Sequence, residues 1–166
     1  MKQVMGALIL ALACFAGAQD MVMLGDWGYI EQIDPITDAN TSGAVALASQ
    51  SPSYYQGALI VRCSTYIGSE IDLFFDSDQY LGSDDLFSVV YRIDGGEPQS
   101  GWWDVSTDNT AVFVPDRDLP QLVTALAGAS EMVIRVQAYD GPQTYIIPVS
   151  GFREVLDAMG CYTGSY

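Results

Sequence analysis

The side chains able to do chemistry in this sequence are few and of a narrow kind. The chain of 166 residues contains no histidine, and its one lysine is Lys2. Histidine triads, imidazole metal sites and the usual pH switch are therefore excluded. What remains is 21 acidic residues, tyrosines, hydroxyls and the arginines Arg62, Arg92, Arg117, Arg135 and Arg153. Two carboxylates can hydrolyse a glycosidic bond, but among 21 acids the pattern singles out no pair. The stretch "DSDQYLGSDD" crowds Asp76, Asp78, Asp84 and Asp85, which makes them weak calcium candidates. An EF-hand register starting at Asp76 would put Leu81 where glycine is needed and Phe87 where the closing glutamate is needed, so that motif fails. The expectation is no metal, no cofactor and no catalysis.

The arginines are more informative. "LIVRCS", "VVYRID" and "MVIRVQ" each place one arginine inside a strand-like run. Period-2 alternation puts Leu59, Val61 and Cys63 on one face and Arg62 on the other. In the same way Arg92 and Asp94 oppose Tyr91 and Ile93, and Arg135 opposes Ile134 and Val136. Three cations on non-core faces have two readings. They pair across strands with acids such as Asp72 and Asp94, worth about 0.2–1 kcal/mol each. Alternatively, they grip a carboxylate-bearing partner through bidentate contacts. The adjacent Trp102 and Trp103 must point to opposite faces, so one belongs to the core and the other is an interaction candidate. With Trp27, Tyr54, Tyr55 and Tyr91 they could also form a carbohydrate platform.

The first residues read as a leader. Lys2, an apolar run over 4–15 and the small-residue stretch Ala16-Gly17-Ala18 have the layout of a secretory signal peptide cleaved after Ala18. This predicts a signal peptide over 1–18 and a single β-rich domain over 19–166, located in the periplasm or secreted. Lipidation at Cys14 is not expected, because Leu12 lies two residues before it, where the lipoprotein signal wants leucine three before. No later apolar run is long enough to cross a bilayer. Removing Lys2 takes the net charge from −15 to −16, which argues against nucleic acid and anionic lipid as partners. The composition, 49% hydrophobic and 16% charged, is that of a globular domain. Cys63 and Cys161 then remain, and export favours a disulfide between them over two buried thiols. On the chain-entropy model such a crosslink is worth about 4–5 kcal/mol. Asn40 of "NTS" is a glycosylation sequon.

Alternation and turn clusters predict strands over 27–33, 43–49, 57–63, 70–75, 87–94, 101–105, 111–114, 131–138 and 145–149. Two helices are expected. One lies in "DLPQLVTALAGA" with Asp118 as cap, and one in "SGFREVLDAMGC" with Ser150 as cap and Gly160 at its end. The predicted fold is mostly β, a sandwich or open barrel of about eight to nine short strands with two short helices, the last at the C-terminus.

In order, "ALIVRC", "VVYRIDGGEPQSGWWDVSTDNTAVFV", "MVIRVQAYDG" and "IIPVSGFREVLDAMGC" resemble the type VI secretion-associated VasI/TagO family of small exported proteins. The matching positions are Arg62, Cys63, Tyr91, Arg92, Asp94, Trp103, Ser106, Asp108, Arg135, Tyr139, Gly151 and Cys161, over roughly residues 57–161. The resemblance implies an envelope accessory role and no established chemistry. Together with the residue reading it points to a non-enzymatic exported binding protein with a protein partner in the cell envelope, associated with a secretion apparatus. The alternatives are a carboxylate-dependent cell-wall glycan hydrolase and a phage- or element-encoded exported protein that uses the same domain. The candidate partner-facing residues are Arg62, Arg92, Asp94, Arg135, Trp102 and Trp103.

Overall fold

The computed structural model describes residues 20–52, 55–64, 70–164 and 166; the expected leader with Cys14 lies outside them, as does Tyr54. Ten strands follow in chain order: β1 (Val22–Leu24), β2 (Trp27–Ile30), β3 (Gly43–Leu47), β4 (Ala58–Cys63), β5 (Ile71–Asp76), β6 (Leu86–Ile93), β7 (Gln99–Val105), β8 (Ala111–Phe113), β9 (Glu131–Ala138) and β10 (Gly141–Pro148). The helices are α1 (Leu119–Leu126) and α2 (Phe152–Met159). All strands join one open antiparallel sheet in the order β1-β2-β3-β4-β5-β8-β7-β6-β9-β10. The mostly β fold predicted from alternation is therefore present, with both helices in the segments where they were expected.

The sheet curls around the apolar face that most of its strands offer. Ala44 and Ala46, Leu59, Val61 and Cys63, Ile71, Leu73 and Phe75, Phe87 and Val89, Met132, Ile134 and Val136, and Tyr145 and Ile147 are all buried on the inside. α1 closes the core with Leu119, Leu122, Val123 and Leu126, and α2 with Phe152, Val155, Leu156 and Met159. Each large side chain removed from water contributes about 1.5–3 kcal/mol. The curl brings β10 to the segment after β3: Ser49 donates its N–H to the Ile146 carbonyl at 2.8 Å, and the Ile146 N–H reaches the Gln50 carbonyl at 3.1 Å. The Ile146 N–H thus points away from β9. By the two-residue repeat, Pro142 and Pro148 sit where their missing N–H would point the same way, so neither proline breaks the β9–β10 ladder.

Three expectations need correction. The strand expected over 27–33 ends at Ile30, and the strand β1 was not anticipated, because Met21, Val22 and Met23 are all exposed at the sheet edge and show no alternation. The N-cap of α2 is Gly151, not Ser150, with φ of +94° and no side-chain cap. Glycine is required there because a Cβ would lie 2.4 Å from the Leu24 carbonyl oxygen. Asn40 is not a free acceptor for a glycan: its amide nitrogen donates to the Met159 carbonyl at 2.8 Å.

Candidate functional site

The three strand arginines do project from the outer face, but they do not form one patch. Arg62 lies on β4, and β5, β8 and β7 separate it from Arg92 on β6 and Arg135 on β9. Arg62 has an acid partner and an aromatic neighbour. It faces Asp72 directly across β4–β5, and its Nε donates to the aspartate Oδ2 at 2.9 Å. Its guanidinium carbon sits 5.3 Å from the Phe74 ring, which in turn stacks on Phe113 at 4.6 Å. It borders a cleft of about 490 Å³ that is also lined by Asp104, Ser106, Thr107 and Asp116. The pairing reading is thus correct for Arg62 and Asp72.

It is not correct for Arg92 and Asp94. Asp94 stands outside the strand alternation, at φ +46°, and Gly95 follows at +69°. With the Gly96 N–H bonded to the Ile93 carbonyl at 2.8 Å, these residues make the type I′ turn that the Asp-Gly pair suits. The Asp94 Oδ1 accepts the N–H groups of Ser130 and Glu131, each at 2.9 Å, and so pins the start of β9 to the end of β6. Among the described residues the ion pairs are Arg62–Asp72 and Arg117–Asp118, and neither involves Arg92 or Arg135.

Arg92 and Arg135 come together instead. The β6–β9 register sets Val90 against Arg135 and Arg92 against Val133. The two arginines are therefore diagonal neighbours on one face, about 7–8 Å apart at the backbone. Both are exposed. The Arg135 Nε donates to the Thr144 Oγ of β10 at 2.9 Å, and its two terminal nitrogens have no partner among the described residues. The arginines flank a depression of about 250 Å³ whose other walls are Val90, Tyr91, Pro98, Val133 and Thr144. Thr144 was not singled out from sequence, although alternation along "TYIIP" puts it on the outer face opposite the buried Tyr145.

The tryptophan pair divides as expected. Trp103 is 1% exposed in the core, with its ring 5.8 Å from Tyr91, and Trp102 is 58% exposed. Trp102 pairs across β6–β7 with Ser88, flanked by exposed Leu86 and Val90, so it shares an outer face with the arginine depression. Among the described residues the carbohydrate platform is not assembled: Trp103 lies in the core and Trp27 is fully buried, its indole N–H donating to the Val149 carbonyl at 3.0 Å. Burial first, and then the charge of Asp118, pushes the Tyr91 hydroxyl above its ordinary pKa.

The remaining polar residues hold turns. Ser106 accepts the N–H groups of Thr110 and Ala111 at 3.2 and 3.0 Å and donates to Asp108 Oδ1 at 2.5 Å. That bond, with the N–H of Thr110, holds the Asp108 carboxyl below the usual range. The Asp76 Oδ1 accepts the Asp78 N–H at 2.9 Å in the acidic loop. No group of three or more potential ligands is placed to hold a metal ion among the described residues. The Cys63–Cys161 disulfide is formed and ties the end of β4 to the residue after α2 and its Gly160 cap. Among the described residues, no helix is long and apolar enough to cross a membrane.

No protein-family model matches the chain, and no curated protein does. Among solved structures it is similar to the crystal structure of invasion associated protein B from Bartonella henselae. The two superpose with a TM-score of 0.53 over 84% of this chain and 94% of that one, at 13% identity. The likeness is one of fold. It covers nearly the whole of the solved chain.

Proposed function

We propose that this chain is an exported, non-enzymatic binding protein of the bacterial envelope, and that it holds a protein partner on the outer face formed by β7, β6 and β9. The observation that carries the reading is the state of Arg92 and Arg135. In a chain with 21 acids and six bases, two adjacent exposed arginines have no carboxylate partner among the described residues. An unpaired arginine pair that shares an outer sheet face with an exposed tryptophan has the composition of an interface hot spot. Other positions of the family-like pattern have internal tasks: Cys63 and Cys161 form the crosslink, Gly151 allows a close backbone approach, Ser106 and Asp108 close a turn, and Asp94 pins β9. Association with a secretion apparatus is the reading that the resemblance favours, and the disulfide fits an oxidising compartment.

The test uses the purified mature protein as bait in envelope extract, with Arg92→Ala and Arg135→Ala beside it and a melting curve for each. Loss of capture at least tenfold, with melting unchanged, is the expected result, since losing one side of a desolvated charge pair costs about 2–5 kcal/mol. Equal capture by wild type and both variants overturns the assignment of this face.

A further inference from the structure

The geometry points to a more specific occupant for the depression between Arg92 and Arg135: we propose that it seats the C-terminal carboxylate of a partner chain whose last residue is apolar. This deepens the reading that the β6–β9 face binds the partner, and it rests on that reading.

Three features lead to it. The first is charge. Two guanidiniums on diagonal register positions can converge on one carboxylate, each with paired N–H donors. Arg135 is oriented for this by its Nε bond to Thr144, which keeps its terminal nitrogens free. The second is the lining. Val90, Val133 and Pro98 make up much of the remaining wall. A side-chain carboxylate arriving alone would leave these apolar groups uncovered. A chain terminus brings a carboxylate and an apolar side chain on the same carbon, so one residue covers both. The third is size. At about 250 Å³ the depression falls below the roughly 300–1,000 Å³ of drug-sized ligand sites, so it suits one terminal residue better than a larger metabolite. Capture of a C-terminal carboxylate is an established mode of peptide recognition.

The probe is a hexapeptide ending in leucine, compared with its C-terminal amide, with an amidated hexapeptide carrying glutamate at the last position, and with hexanoate. Binding to the mature protein is read from the Nε–Hε NMR signals of Arg92 and Arg135. The free acid is expected to shift both signals saturably. The amide, the glutamate peptide and hexanoate should each bind at least tenfold more weakly. Arg92→Ala, and Arg92→Lys with its lost bidentate geometry, should each lose at least tenfold in affinity for the free acid, while Thr144→Val should lose less. Equal binding of acid and amide overturns the proposal. So does preference for the glutamate peptide, which would indicate side-chain recognition, or equal affinity for hexanoate, which would indicate a small acid as ligand. If no probe binds yet Arg92→Ala abolishes partner capture, this inference fails and the proposed binding face stands. If the probes bind as expected but capture ignores both arginines, the seat stands and the proposed function fails.

Discussion

Ser106 accepts two backbone N–H groups and donates to Asp108, so one hydroxyl closes the turn between β7 and β8. Removing it leaves the half-buried Ala111 N–H without its acceptor and the Thr110 N–H with Asp108 alone. Ser106→Ala should therefore cost about 1–3 kcal/mol in urea unfolding, although Ser106 touches no part of the arginine face. Asp108 makes the same turn sensitive to acid. Its folded pKa lies below the unfolded value of 3.8, so its contribution is present above about pH 4 and disappears as the pH falls through the folded pKa. Asp108→Asn should flatten the stability curve below pH 4 and lower stability at neutral pH, where the wild-type carboxylate contributes; acid titration of the two proteins in fixed urea measures the difference. The arginines behave differently. Exposed and unpaired among the described residues, Arg92 should be replaceable at almost no cost in stability, which makes a loss of binding interpretable.

At the level of elements, the crosslink and one glycine hold the chain's last segment in place. The disulfide closes a loop of 98 residues, so its reduction or Cys161→Ser should lower stability by up to about 4–5 kcal/mol, seen as a drop in melting temperature with dithiothreitol. Gly151→Ala should be comparably harmful, because a Cβ there meets the Leu24 carbonyl in a left-handed backbone conformation. Most elements were legible in the sequence because their alternation is strong: 131–138 and 111–114 read as strands, and both helices announced themselves. β1 was illegible because an edge strand with both faces exposed carries no period-2 signal. The site was only half legible. Alternation shows that Arg62, Arg92 and Arg135 face outward, but it holds no information about strand order. The order alone decides that β9 lies beside β6 while β4 lies elsewhere. Asp94 misled because a turn breaks the alternation one residue before a reader would stop counting.

On the scale of the whole molecule, charge is lopsided: the net charge is −15, and two ion pairs relieve it among the described residues. Self-repulsion should dominate over pairing, so the melting temperature should rise as sodium chloride goes from low to about 0.5 M, as screening takes hold. A fold held mainly by surface pairs would show the opposite trend, and calorimetry across the salt series separates the two. One contact has a consequence in time. Trp27 bonds to the Val149 carbonyl, and Asp26 accepts the N–H of Ser150 at 2.9 Å while donating its own to the Ser150 carbonyl at 2.8 Å. The first strands are thus completed by residues more than 120 positions later. A growing chain with this wiring cannot finish its core until its final stretch has emerged from the ribosome. Until then the bonds that hold Asp26 and Trp27 have no partners, and the N-terminal edge of the sheet closes last.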